Sequence, residues 1–431
     1  MEGIGNRMNR MEKPLLAYLI GCYPAITHTF ILREILQLRE IGFDIRTVSI
    51  SSPEKSADGP TETEKVESLR TFYVKARGLQ NILADHARAL ISRPLRYIFG
   101  LWFALRLNGL DLGHLPHYVA YFVEAVVVGE WMRRGELCHL HVHFANASST
   151  VALIVSKMYP VRYSITVHGP DEFYGEAFYR LREKIKGASF ICCISQFCRS
   201  QLMKVTPVED WPKLEVCLLG VDPTLFRPRP GPVEGEFHIA CVGQLVARKG
   251  QAILLQAAAK LLRGGRRLHL EFIGDGVDRR ALQELVARES IIPNVTFHGS
   301  VNQDRLRGLL GSTSVFVLPS FAEGVPVSLM EAMAMEIPCI STVIAGIPEL
   351  ISCNIDGILV PASDVDSLAE ALEMLMDNPE YRLRLGRAGR LRVIERYNLQ
   401  ANTSRLAEVF QRRLELRSTH PDSQLCAEQN A

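Results

Sequence analysis

The sequence predicts an α/β protein of two doubly wound parallel-sheet domains, and three observations carry that prediction. The chain has 431 residues, enough for two domains of ordinary size that each bury a core. Short apolar runs alternate with amphipathic stretches at helical spacing, the pattern of parallel strands joined by crossover helices. The alternation runs through the chain twice. Between the two series, Arg227-Pro-Arg-Pro-Gly-Pro232 can continue neither helix nor strand.

Leu15 to Gly21 opens the first series as a buried strand. Phe30 to Ile41 follows as an amphipathic helix ended by Gly42, and Ile45 to Ile50 is the next strand. Strand, helix, strand implies a right-handed parallel unit. Ser51 to Glu64, rich in Ser, Pro, Asp and Glu, reads as a surface loop. Lys75 to Arg106 holds six basic residues against one acidic residue, Asp85, interleaved with Tyr97, Ile98, Phe99, Leu101, Trp102 and Phe103. Such a helical segment either lies on an anionic membrane surface or packs as a helix pair with a solvated basic face. Leu137 to Phe144, Ser164 to Val167, Phe190 to Ile194 and Leu214 to Leu218 complete the first domain. That domain is assigned to residues 1–226, and 227–236 to a hinge.

His238 to Gly243 begins the second series. Helix Gln251 to Arg263, closed by Gly264-Gly265, strand Leu268 to Ile273, helix Arg279 to Ser290 and strand Val295 to His298 follow. Val315 to Leu318 is the next buried strand, stopped by Pro319, and Pro326 sits where a first helical turn tolerates proline. A helix therefore starts near Pro326. Glu323 falls in the loop before it and Glu331, eight residues on, falls one to two turns inside. The backbone N–H groups of Val327, Ser328 and Leu329 point out of the helix start. With the helix dipole they form an anion site of the kind most often used for phosphate. The second domain is assigned to 237–400, a last helix to 401–417 and a polar, disordered tail to 418–431.

Composition narrows the function classes. A net charge of +2 excludes strong steering by the whole molecule, so nucleic acid is not an expected partner. The ten cysteines include no C-x-x-C, and Cys192 and Cys193 are adjacent in an apolar run, which fits reduced thiols in the cytosol. The first thirteen residues are polar and charged, unlike a secretory signal, and no apolar run reaches the ~20 residues that cross a bilayer. The expected location is the cytoplasm, with contact at the inner membrane face through 75–106.

His168 follows the strand Ser164 to Val167, at the carboxyl end of a sheet, where open α/β folds bind ligands. His139, His141 and His143 share one strand face, which zinc could use, but no further ligand has suitable spacing and no metal site is assigned. Asp364-Val-Asp366 imitates a metal-binding pair yet precedes a helical run as an N-cap does. Gly274-Asp-Gly276 lacks the third glycine of the dinucleotide fingerprint, which argues against hydride transfer.

Several segments together resemble one family: VGQLVARKGQAILLQAAAKL from Val242, FIGDG from Phe272, VTFHGSV from Val295, the block from Phe321 to Leu350, and TVHGPDEF from Thr166. They are similar to the retaining glycosyltransferases of family 4, with their E-x7-E segment, nucleotide-sugar donors and GT-B fold of two facing Rossmann-like domains around a cleft. YLIGCYPAITHTFILREILQLREIGFDI and HVHFA resemble the exopolysaccharide group, which includes colanic-acid-type transferases. The resemblance implies transfer of a hexose from a UDP- or GDP-sugar to a glycan or lipid-linked glycan, without metal or further cofactor. It makes Glu323, His168 and Lys249 the catalytic set, with Arg248 and Lys249 at the diphosphate and Glu331 at the ribose hydroxyls. It places Gly243, Gly324, Val325, Pro326, Val327, Ser328 and Leu329 against the donor. Gln244 stands where the family often has an arginine. Two other readings stay open, a non-catalytic subunit that holds a nucleotide sugar or scaffolds an assembly, and a nucleotide-sugar epimerase of similar fold.

Overall fold

The computed structural model describes residues 15–53, 59–109, 111–174, 180–229, 231 and 235–415. The first sheet has strands β1 (Leu15–Cys22), β2 (Asp44–Ser51), β3 (Phe72–Tyr73), β4 (His139–His143), β5 (Arg162–Val167), β6 (Ile191–Cys193) and β7 (Leu214–Val216), in the order β3-β2-β1-β4-β5-β6-β7. The second has β8 (Phe237–Val242), β9 (Leu268–Ile273), β10 (Val295–Gly299), β11 (Val315–Leu318), β12 (Cys339–Thr342) and β13 (Ile358–Val360), in the order β10-β9-β8-β11-β12-β13. Neighbours pair in parallel throughout both sheets. Each sheet reverses its winding once, at β1/β4 and at β8/β11. These are the switch points at which such sheets open a ligand crevice. The chain has the GT-B fold of two Rossmann-like domains.

Parallel strands are covered on both faces and so read as continuous apolar runs, as β11 does with every residue buried. β4 is the exception, since HLHVH is wholly buried although three of its five residues are histidines. Leu140 and Val142 join the main core. The histidines face a second layer that includes Phe190 and Phe410, whose rings lie 5.8 Å from His139 and 5.0 Å from His141. That layer is covered by helix Thr29–Ile41, which buries Ile31, Leu32, Ile35 and Leu38 at helical spacing. Helix Leu399–Glu415 brings Leu406, Ala407 and Phe410 onto the same cluster, so the last helix lies on the first sheet. Val221 N–H donates to the Tyr397 carbonyl (2.9 Å) and Leu399 N–H to the Val221 carbonyl (3.0 Å).

The segment 75–106 forms two helices, Leu79–Ser92 and Pro94–Asn108, which pack with helix Leu115–Arg134. Its basic residues do not form a uniform solvated face. Fully buried Asp85 pairs with Arg77 (2.9 Å), Arg88 (2.6 Å) and Arg134 (2.8 Å), which offsets the cost of burying a carboxylate. Helix Leu115–Arg134 is not visible as a 3.6-residue rhythm because Ala125, Val126, Val127 and Val128 are buried in succession. Asp364 caps helix Val365–Asp377 by accepting the Ser367 N–H (2.9 Å). Among the described residues, no helix is long and apolar enough to cross a membrane. The first thirteen residues, the tail from 418, and parts of the Ser51 to Glu64 loop and the 227–236 segment lie outside the described residues.

Candidate functional site

The carboxyl ends of the two sheets open onto one cavity of ≈ 370 Å³, a size suited to a small ligand. Residues after β1, β4 and β5 form one wall, among them His28, Phe30, Phe144 and His168. Residues after β8, β9 and β11 form the other.

On the second wall, two loops are locked together. Gly250 has φ +66°, and a Cβ there would lie 2.0 Å from the Pro319 carbonyl oxygen, so the turn after β8 can approach the end of β11 only with glycine. Phe321 N–H donates to the Arg248 carbonyl (2.7 Å) across the same contact. The result sets Lys249 Nζ 2.5 Å from Glu323 Oε1, and the Ser320 hydroxyl donates to that oxygen as well (2.7 Å). Glu323 is buried, so this pair exchanges less strongly with water than a surface ion pair would. Helix Val327–Ala334 begins beside them with Pro326 at its N-cap position and no side-chain cap. Its first N–H groups are therefore open to an anion in the cavity.

Glu331 also lines this wall, buried, with Arg33 Nη2 2.9 Å from its Oε1. Burial pushes the Glu331 carboxyl above the usual range, and the Arg33 guanidinium pulls it back down. Arg33 comes from helix Thr29–Ile41 of the first domain and also meets Gln303 Oε1 (2.5 Å), so it reaches across the cleft.

On the first wall, His168 is held by its backbone and its ring. Its N–H and that of Gly169 both donate to Glu172 Oε2 (2.7 Å each), and Ala145 N–H donates to Glu172 Oε1. Burial pushes Glu172 up to about 7 against the pull of those three N–H groups and of Lys184. Burial likewise pushes Lys184 down to about 7, opposed by Glu172. His168 Nε2 lies 2.9 Å from His143 Nδ1. Burial, with His143 and His28 nearby, pushes the His168 imidazole well below its ordinary pKa, so it is neutral at pH 7.

The walls meet backbone to backbone. A Cβ on Gly324 would sit 1.9 Å from the His168 carbonyl oxygen. Glu349 of the second domain accepts the Gln196 (2.9 Å) and Phe197 (2.7 Å) N–H groups at the start of helix Gln196–Val205 of the first. Of the sequence-assigned residues, Gly243, Arg248, Lys249, Glu323, Val325, Pro326, Val327, Ser328, Glu331 and His168 line the one cavity. Gly324 instead packs under His168, and the Leu329 side chain is fully buried in the core, leaving only its N–H for the helix-start site. Arg33, Gln303 and Glu172 were not singled out from sequence. Glu172 had a usable signal, a carboxylate four residues after His168 in a short turn; Arg33 and Gln303 had none.

Residues 223–392 match the family described as Glycosyl transferases group 1. Over 408 residues the chain is 26% identical to the putative colanic acid biosynthesis glycosyltransferase WcaL of Escherichia coli K12, covering 90% of this chain and 97% of that protein. It is 30% identical over 207 residues to the amylovoran biosynthesis glycosyltransferase AmsK of Erwinia amylovora, covering 46% of this chain and 51% of that one. Among solved structures, sucrose-phosphate synthase of Thermosynechococcus elongatus superposes with a TM-score of 0.73 at 17% identity, covering 94% of this chain and 100% of the other. HepE of Anabaena, in complex with UDP-glucose, superposes with a TM-score of 0.69 at 14% identity over 92% of this chain and 99% of that one. These structural likenesses speak to the fold.

Proposed function

We propose, from the premise that residues 223–392 form a glycosyl transferases group 1 domain on a GT-B fold, that this glycosyltransferase moves a hexose from a UDP- or GDP-sugar to a glycan with the anomeric configuration retained. The observation that carries the proposal is the Lys249–Glu323 pair, set 2.5 Å apart beside an uncapped helix start in a cavity that also holds Glu331 and His168. Negative charge builds on the departing diphosphate. Lys249, Arg248 and the N–H groups of Val327, Ser328 and Leu329 meet it in a site already organised to do so, which is the largest single source of stabilisation in such reactions. Glu331 accepts the ribose hydroxyls once Arg33 yields it, and Glu323 and His168 hold the sugar. The acceptor hydroxyl enters from the first wall, which Phe30 and Phe144 help to line. None of these roles requires a metal.

The names of WcaL and AmsK favour a place in exopolysaccharide assembly, and the UDP-glucose complex of HepE favours a nucleotide-sugar donor. Purified protein incubated with UDP- and GDP-hexoses and no acceptor is expected to release nucleoside diphosphate slowly from at least one of them. The same donor at ~100 times its Kd should add ~2.7 kcal/mol of stability, read as a rise in Tm. Release from none of them, or a sugar converted while still attached to its nucleotide, would contradict the proposal.

The acceptor in this reading is lipid-linked, and the helices Leu79–Ser92 and Pro94–Asn108 supply the membrane contact. Their outer side exposes Ile91 (82%), Leu95 (83%), Ile98 (60%) and Trp102 (48%), interleaved with exposed Arg96 and Arg106. A water-facing apolar row of this kind with cations between is complementary to an anionic lipid surface, where each Lys or Arg contributes ~1 kcal/mol. Binding to phosphatidylglycerol vesicles, absent with phosphatidylcholine, is the expected result. Ile91→Asp with Leu95→Asp should abolish it and leave donor hydrolysis unchanged; equal binding to both vesicle types would remove the lipid contact.

A further inference from the structure

We propose that Glu34 and His143 are positioning residues that fix the tautomer of His168, so that its Nδ1 accepts a hydrogen bond from a hydroxyl of the transferred sugar. The sugar contact rests on the function proposed above; the tautomer does not. Three side chains from three elements run from the core to the cavity: Glu34 on helix Thr29–Ile41, His143 at the end of β4 and His168 just after β5. Glu34 Oε1 lies 3.2 Å from His143 Nε2, and His143 Nδ1 lies 2.9 Å from His168 Nε2. Glu34 sits among Ile31, Ile35 and Leu38 on the buried side of its helix, where a carboxylate is costly unless something uses it.

The order of protons follows from what each group can do. At 3.2 Å a carboxylate oxygen attracts an N–H and repels a lone pair, so although the two are not aligned as a hydrogen bond, the neutral His143 ring carries its hydrogen on the nitrogen facing Glu34, and His143 Nδ1 is left with a lone pair. His168 Nε2 must then donate to it, which leaves Nδ1 as the acceptor that His168 can offer to a ligand in the cavity it lines. A sugar hydroxyl is such a donor.

The described neighbours of these rings have partners of their own. The Tyr18 hydroxyl donates to Glu34 Oε1 (2.9 Å), so it supports the carboxylate. His141 has Nδ1 against the Ser164 hydroxyl (2.8 Å) and Nε2 against that of Thr166 (2.9 Å). Glu172 is taken up by the N–H groups of Ala145, His168 and Gly169, and Lys184 by the carbonyls of Ala145 and Asn146. The His28 ring lies across Phe144 (4.8 Å). Glu34, His141 and His143 do bring ligand atoms within 4.8 Å of one another, a spacing that would suit a metal. Both His141 nitrogens are already engaged by hydroxyls, which argues against a metal there.

Nitrogen-15 NMR of the full chain labelled at histidine tests the relay without any ligand. At neutral pH, His143 and His168 should both show the Nε2–H tautomer. Glu34→Gln, whose amide can donate as well as accept, should abolish the single-tautomer pattern at both, with Tm nearly unchanged. UDP-glucose or GDP-mannose, whichever the protein hydrolyses, should then move the His168 Nδ1 signal, whereas UDP or GDP should not. In turnover, Glu34→Gln should raise the donor KM about tenfold, the loss of one well-placed hydrogen bond, and leave product inhibition by the nucleoside diphosphate unchanged. Glu34→Asp, which keeps the carboxylate, should restore part of that loss. An Nδ1–H tautomer at His143, or tautomers indifferent to Glu34→Gln, would overturn the relay. Correct tautomers with no response of His168 Nδ1 to a hydrolysed donor would overturn the sugar contact. A protein that hydrolyses no UDP- or GDP-hexose would count against the proposed function, while the tautomers decide the relay by themselves.

Discussion

Lys249→Ala is expected to lower kcat for the hydrolysed nucleotide sugar by about 10²- to 10³-fold, the usual cost of removing one preorganised donor to a developing negative charge. Lys249→Arg, which keeps the cation, should lose much less. The substitution also strands Glu323, which is 5% exposed and, among the described residues, would retain only the Ser320 hydroxyl as a side-chain partner. An unpaired buried carboxylate destabilises, so Tm should fall along with the rate. The two effects can be separated. Lys249→Met combined with Glu323→Gln removes the stranded charge, so Tm should recover while turnover stays low. Recovery of both would mean that the pair only holds the loops after β8 and β11 together.

Gly324→Ala should be the most damaging single methyl group in the cleft. Its Cβ would lie 1.9 Å from the His168 carbonyl oxygen and 3.0 Å from Ile194 Cδ1, and a main-chain carbonyl of the opposite domain cannot swing aside as a side-chain end can. Overpacking of this kind costs ~1–3 kcal/mol, so Tm should drop by several degrees. Activity should fall further than stability, because separating the walls by ~1 Å misplaces His168 relative to Glu323, and such a displacement costs ~10²-fold in rate. The check is to compare kcat/KM and Tm in the same preparation. A variant with wild-type turnover would show that the walls need not touch there.

The sequence was most legible where structure is local. Gln251 to Arg263, Leu268 to Ile273 and Val315 to Leu318 are found at those boundaries, because each is a strongly periodic or continuous apolar run between turn residues. β3, with two residues, and helix Leu115–Arg134, buried on several sides, lack the rhythm that makes an element visible. In the site, Lys249, the Glu323 and Glu331 block, and His168 come from three separate stretches and share one cavity. Arg33 was beyond reach, since nothing in an amphipathic helix says that one of its arginines will cross to a glutamate 298 residues later. Glu34 was within reach. A carboxylate inside the apolar stripe of Ile31, Ile35 and Leu38 is a local conflict, and such conflicts mark positions where function outweighs burial.

The central claim is that the wall built by β8 and β11 captures a departing diphosphate. A crystal structure of the full chain with UDP or GDP tests it most directly. The account predicts phosphate oxygens within hydrogen-bond distance of the Val327–Leu329 amides and of Lys249 Nζ, with the ribose at Glu331 and Arg33 moved off it. A diphosphate bound elsewhere, with Arg33 still on Glu331 and the helix start empty, would contradict it.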